Sequence, residues 1–253
     1  MSESKGRFVD QIALVTGASR GIGAGIAAAL AAEGAHVIVS GRDRFRLDRV
    51  VGGILQGGGS ALSVPAELTD EKDVERLRER AEQGFGPVTL LAACAGGGGE
   101  PKPLSEESVE RWHKAMETNL ITQFLTLRTF LPPMLQKGRG AVVMISSSAG
   151  RQLSGASAPY AAAKAGVLSL MRQAAMEAAP RCVRVNAIAP STIMTDRLSA
   201  LPAEQRERMA ASFPLRRAGE VDDVVSATLF LLSPAAGWIT GTTLDVAGGR
   251  VML

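Results

Sequence analysis

The chain has 253 residues, 46% of them hydrophobic, enough to bury one substantial core without requiring a second domain. Its net charge is only +3 and the basic residues are scattered, which argues against a nucleic-acid-binding surface. Met1 to Asp10 carries Glu3, Lys5 and Arg7 without an apolar stretch, and no run approaches 18 apolar residues, so a cytoplasmic protein without membrane spans is expected. The two cysteines, Cys94 and Cys182, sit in apolar, strand-like surroundings and suggest buried thiols rather than a disulfide or a metal site.

Taken in order, short apolar runs over 12–16, 37–40, 61–64, 88–92, 141–146, 183–188 and 243–246 predict strands. Segments with helical periodicity separate them; Ile22, Ile26 and Leu30, for example, share one face. Near-continuous apolar strands joined by helical crossovers predict an α/β fold with a doubly wound parallel sheet, a Rossmann fold, in one domain spanning 1–253.

Between the first strand and a helix opening near Gly21 lies Thr16-Gly17-Ala18-Ser19-Arg20-Gly21-Ile22-Gly23. A glycine-rich turn there lets backbone approach a pyrophosphate, which the free N–H groups and positive end of the helix then face. The cofactor contacts expected from this turn are Gly17, Ser19, Arg20, Gly21, Ile22 and Gly23. At the end of the second strand, where an NAD-selective fold presents a carboxylate to the ribose, the sequence has Gly41-Arg42. Arg20 and Arg42 together suit a 2′-phosphate, so NADP(H) is favoured over NAD(H); Asp43 reading a ribose hydroxyl is the competing arrangement.

Tyr160 is the only tyrosine, and Tyr160-Ala161-Ala162-Ala163-Lys164 on an alanine-rich helix places phenol and ammonium one turn apart on one face. A free phenol titrates near pH ~10, and a neighbouring cation is expected to lower that by roughly 1–3 units. Ser147 lies just past the strand over 141–146, at the carboxyl end of the sheet where ligands of such folds bind.

This motif set resembles the short-chain dehydrogenase/reductase family from Thr16 through Gly249, and within it the 3-oxoacyl-acyl-carrier-protein reductases. The resemblance implies that Ser147 binds the substrate oxygen, Tyr160 exchanges its proton, Lys164 lowers the tyrosine pKa and binds the nicotinamide ribose, and Asn119 holds a relay water. It further implies cofactor contacts at Glu67 (beside the adenine), Ala95, Gly96, Ile193 and Thr195, besides Tyr160 and Lys164. Asn186-Ala187-Ile188-Ala189-Pro190, continuing through Ile193 and Thr195, resembles the family's nicotinamide-side loop, and Ile239-Thr240-Gly241 and Gly248-Gly249 its C-terminal strand and turn.

The chain departs from the family pattern at Ala93-Cys94-Ala95-Gly96, where two asparagines are usual, at Glu67 for aspartate, at Ser191 after Pro190, and at Ala247. The expected activity is NADPH-dependent reduction of a ketone, such as a 3-oxoacyl thioester, to a secondary alcohol. Alternatives are an NAD-linked alcohol dehydrogenase working oxidatively and a non-catalytic cofactor-binding regulator. The substrate loop, about 191–215, contains Met194, Leu198, Leu201, Met209 and Phe213, whose apolar character fits either a greasy substrate or the inner face of a lid. Lys137, Arg139 and Arg181 are candidate contacts for an acidic carrier protein. The family implies a homotetramer paired through the helices predicted over 104–136 and 159–178.

Overall fold

The computed structural model describes residues 6–195, 198 and 201–252. Seven strands form one parallel sheet in the order β3-β2-β1-β4-β5-β6-β9. They are β1 (Ile12–Thr16), β2 (His36–Gly41), β3 (Ser60–Pro65), β4 (Leu90–Ala93), β5 (Gly140–Ile145), β6 (Val183–Pro190) and β9 (Thr243–Val246). Each matches a strand predicted from the apolar runs, with ends displaced by no more than two residues. The remaining pair, β7 (Ile193–Met194) and β8 (Gly219–Glu220), is a two-residue parallel contact beside the sheet, too short to leave a period in the sequence.

Alternate residues of the strands enter different cores. Leu14, Ile38, Leu91 and Val142 pack against α3 (Glu71–Gly84), α5 (Thr122–Lys137) and α6 (Ala158–Ala178) through Leu77, Phe130 and Met171. Ala13, Val15, Val37 and Val143 pack on the other face against α1 (Gly21–Ala32), α2 (Arg44–Gln56) and α8 (Val221–Leu232) through Ile26, Leu30, Leu47 and Leu229. Both sheet faces are covered, so the central strands β1, β4 and β5 are nearly continuous apolar runs, each fully buried Leu or Ile contributing about 1.5–3 kcal/mol, while the outer strands β3 and β9 are half-buried and carry polar residues. A short helix, α7 (Ala203–Ala211), lies in the predicted substrate loop.

Three expectations need correction. The helix predicted over 104–136 is divided: Leu104–Glu106 is a turn of 3-10 helix, α4 runs Val109–Met116 from a Ser108 cap, and a single π turn, Glu117–Ile121, joins it to α5. Cys182 is exposed and precedes β6 in a left-handed backbone conformation (φ 56°) rather than lying in a strand; burial of both thiols fails there. Lys137, Arg139 and Arg181 are exposed around the N-terminal ends of β5 and β6. Ser147 lies beyond the opposite end of β5, roughly 20 Å along the strand, so within one chain these cations are remote from it.

The strand order reverses between β1 and β4, so the crossovers after them leave on opposite faces and a cleft opens at the C-terminal strand ends. Both glycine turn and serine–tyrosine constellation lie at that end.

Candidate active site

The phosphate turn is built by close backbone approach. Gly17 has φ +63°, and a Cβ on it would lie 2.8 Å from the Ala95 nitrogen; a Cβ on Gly23 would lie 2.5 Å from the Gly17 oxygen. Helix α1 begins at Gly21 with no side chain capping its first N–H groups, leaving them to face the turn. A groove of about 740 Å³ passes over this end, lined by Gly17, Ser19, Arg20, Gly21, Ile22 and Gly23, with Cys94, Gly96 and Thr195 completing it. Glycine cradle, uncapped helix end and arginines fit a dinucleotide's phosphates.

The groove also shows what sequence reasoning missed. Its further cations are Arg46 and Arg49 of α2, whereas the predicted Arg42 is exposed outside the lining. Burial of Leu47 sets the rotation of α2 and leaves Arg46 and Arg49, three positions apart, on the face toward the groove. The amphipathic phase of α2 was the available signal. Asp43 accepts from Arg46 N–H at 3.1 Å as the helix cap and pairs with the Arg46 guanidinium, an arrangement that competes with its reading a ribose hydroxyl. Buried Ser40, at the end of β2, has a hydroxyl without a protein partner.

Glu67, expected beside the adenine, lies two residues beyond β3; its carboxylate accepts from the Thr69 hydroxyl at 3.0 Å and is absent from the groove lining. Ile193 is buried in β7, while Thr195 reaches the groove across from Gly21. The altered Ala93-Cys94-Ala95-Gly96 turn keeps its shape because Thr16 Oγ1 accepts from the Cys94 and Ala95 N–H groups at 3.1 and 3.4 Å. Burial pushes the Cys94 thiol up to about 12, with nearby Lys164 opposing, so it stays protonated.

Ser147, Tyr160, Lys164 and Asn119 converge beside Gly96. The Ser147 hydroxyl faces the Tyr160 phenol, and the Lys164 ammonium is 5.8 Å from the phenol ring centre. A Cβ on Gly96 would be 2.7 Å from Asn119 Oδ1 and 3.0 Å from Lys164 Nζ, so the glycine admits both groups. Lys164, 3% exposed, donates to the Ile145 carbonyl at 2.8 Å, as does Gln123 at 3.0 Å. Ser146 Oγ donates to the Lys164 carbonyl at 2.8 Å, locking α6 to the end of β5. Asn119, in the π turn, accepts from Gly97 N–H and donates to the Gly97 carbonyl, fixing one wall of a chamber of about 260 Å³ that Tyr160, Ser157, Thr118 and Gly97 to Gly99 line.

The electrostatics differ from expectation. Burial raises the Tyr160 pKa, the Ser147 hydroxyl opposing it, and Lys164 does not produce the expected lowering. Lys164 itself is pushed down to about 8 by burial. Desolvation is the largest effect at both groups, at Lys164 because the ammonium is buried and at Tyr160 because the phenol sits at the chamber wall rather than in open solvent.

Of the apolar loop residues, Phe213 is buried in a separate cavity of about 380 Å³ with Leu215 and Leu244, away from the Tyr160 chamber. Met194, Leu198, Leu201 and Met209 are half-buried. Among the described residues, no group of His, Cys, Asp or Glu is arranged to hold a metal, and no helix is long and apolar enough to cross a membrane.

Comparison with known proteins agrees with this geometry. A family model described as Enoyl-(Acyl carrier protein) reductase matches residues 17–250. The chain is 36% identical over 246 residues to 7alpha-hydroxysteroid dehydrogenase of Escherichia coli (strain K12), covering 97% of this chain and 96% of that one. It is 37% identical over 246 residues to the 3-oxoacyl-(acyl-carrier-protein) reductase FabG of the same organism, covering 97% and 99%. The crystal structure of levodione reductase superposes with a TM-score of 0.92 at 30% identity, covering 96% of this chain and 98% of that one. With its parallel sheet, glycine turn and serine–tyrosine–lysine constellation, the chain belongs to the short-chain dehydrogenase/reductase family and is an NAD(P)-dependent oxidoreductase.

Proposed function

We propose that the protein is an NADPH-dependent ketone reductase that forms a secondary alcohol. The observation that carries this reading is the convergence of Ser147, Tyr160, Lys164 and Asn119 at the end of β5, next to the chamber beside Gly97. A bound nicotinamide cofactor supplies the hydride. Ser147 hydrogen-bonds the carbonyl oxygen and Tyr160 gives it a proton as negative charge develops. A phenol held protonated by burial suits reduction, because the group must donate. Lys164 binds the cofactor ribose, and its lowered pKa lets it pass a proton inward; Asn119 holds the adjoining wall and the relay water.

Arg20, Arg46 and Arg49, which line the groove, support a 2′-phosphate at the ribose end. Gly96 and Thr195 line the groove, and Ala95 and Ile193 adjoin them on the side that would receive the nicotinamide half. The relatives named above span a hydroxysteroid, a carrier-bound 3-oxoacyl group and levodione, which supports a carbonyl compound, free or carrier-bound, as substrate. The proposal includes a cytoplasmic homotetramer and a single domain spanning 1–253.

The test is oxidation of NADPH and NADH with β-ketoesters, acyl thioesters, diketones and cyclic ketones, run beside Tyr160→Phe. Turnover with NADPH that falls about 10²–10⁴-fold in the variant is expected. Absence of turnover across the panel with NADPH binding intact would overturn the reading.

A further inference from the structure

The catalytic serine loop is tied to the far end of the chain. Ser147 opens a turn of 3-10 helix, Ser148–Gly150, and Arg151 follows. The Arg151 Nε and Nη2 donate to Asp245 Oδ1 and Oδ2 of β9 at 3.1 and 3.0 Å, fork to fork, with the side chains only 23% and 18% exposed. The next residue, Gln152, donates from its amide to the Arg250 carbonyl at 2.9 Å.

The same C-terminal stretch holds two other pieces of the site. Val246 accepts from Ser191 N–H at 3.1 Å, where the chain leaves β6 for the Ile193–Thr195 side of the cofactor groove, and Gly248 accepts from Leu215 N–H at 3.2 Å. The Arg250 guanidinium lies 5.4 Å from the centre of the Phe213 ring, at the end of the substrate loop. Residues 245–250 therefore touch the serine loop, the cofactor-side segment and the substrate-loop end.

We propose that Arg151 is a positioning residue: its paired fork with Asp245 keeps the Ser147 loop in register with the segment after β6, and so keeps the proton-donating side aligned with the hydride-donating side. This rests on the reductase reading above. A bidentate pair fixes rotation as well as distance, which a single bond would not, and partial burial limits screening by solvent. Hydride transfer is sensitive to such alignment, because a misplacement near 1 Å costs about 10²-fold in rate.

Full-length Arg151→Met, Asp245→Asn, Arg151→Lys and the exchange Arg151→Asp with Asp245→Arg are compared with the unaltered protein. Thermal midpoint, kcat, KM and the isotope effect with NADPH deuterated at the transferred position are read. Both neutral variants are expected to lose about tenfold or more in kcat with KM little changed and a larger isotope effect. Arg151→Lys falls between them and the unaltered protein, and the exchange restores kcat if it folds. A kcat per folded molecule equal to that of the unaltered protein in both neutral variants, whatever their thermal midpoints, overturns the proposal.

Should the unaltered protein turn over none of the ketones, hydrogen exchange decides the coupling separately from the reaction. Faster exchange in Arg151→Met at both 146–157 and 188–195 supports it. Faster exchange at 146–157 alone overturns it and leaves a local structural pair.

Discussion

Asn119 clamps Gly97 by both of its peptide groups: Oδ1 accepts from the Gly97 N–H at 2.9 Å, and Nδ2 donates to its carbonyl at 3.0 Å. The π turn makes this reach available, because the wider helical turn rotates Asn119 toward the loop while Nδ2 also donates to Ala115 O at 3.0 Å. Replacing Asn119 by Ala frees the chamber wall. Turnover is expected to fall about tenfold to a hundredfold, with faster hydrogen exchange at 94–99. Unchanged turnover would remove Asn119 from the working site.

Lys164 gives a pH signature whose sign follows from its direction of shift. Its folded pKa is about 8 against an ordinary 10.5, so between these values the unfolded chain holds a proton that the folded one does not. Stability therefore rises as pH climbs through that window, and below it the burial penalty is fully present. Lys164→Met removes the dependence. Urea denaturation of both proteins should show the unaltered one gaining about 2 kcal/mol relative to the variant between pH 7 and pH 10. A constant difference would contradict the burial argument.

Gly23→Ala tests the phosphate turn. A Cβ 2.5 Å from the Gly17 oxygen forces backbone to move at the groove floor. We expect a loss of about 1–3 kcal/mol in stability and cofactor binding at least tenfold weaker by fluorescence titration. Binding that survives intact would mean the turn adapts.

Much of the sheet was readable from the sequence because strands apolar on both faces leave a strong signal, and the glycine turn, Ser147, Tyr160 and Lys164 follow fixed spacings around it. For Arg46 and Arg49 the sequence offers only the amphipathic phase of α2, which separates them from buried Leu47 but does not say that their side of the helix borders the groove; that is a tertiary outcome. The π turn left no period of its own, although Asn119 within it was identified by resemblance. The direction of the Tyr160 shift was misjudged because sequence reveals a neighbouring charge but not the desolvation that competes with it. Cys182 misled for a related reason, since apolar neighbours do not show that a residue sits in a turn.

Arg184 predicts a purely structural effect. Its guanidinium donates to the carbonyls of Leu231, Leu232 and Ser233 at 2.7, 3.3 and 3.0 Å, closing the C-terminal end of α8. Arg184→Met should cost about 2–4 kcal/mol in chemical denaturation while leaving KM unchanged at temperatures where the protein is folded. An unaltered denaturation midpoint would show that water replaces the cap freely.

The hydroxyl of Thr16 holds the turn after β4 through two main-chain N–H groups, and main chain is common to every amino acid. Those two contacts therefore do not depend on which side chains stand at positions 94 and 95, although Ala93 is fully buried and Cys94 borders the groove. Position 16 thus carries the shape of the turn: Thr16→Val, which keeps the side-chain shape and loses the acceptor, is expected to loosen residues 94–97, read as faster hydrogen exchange there.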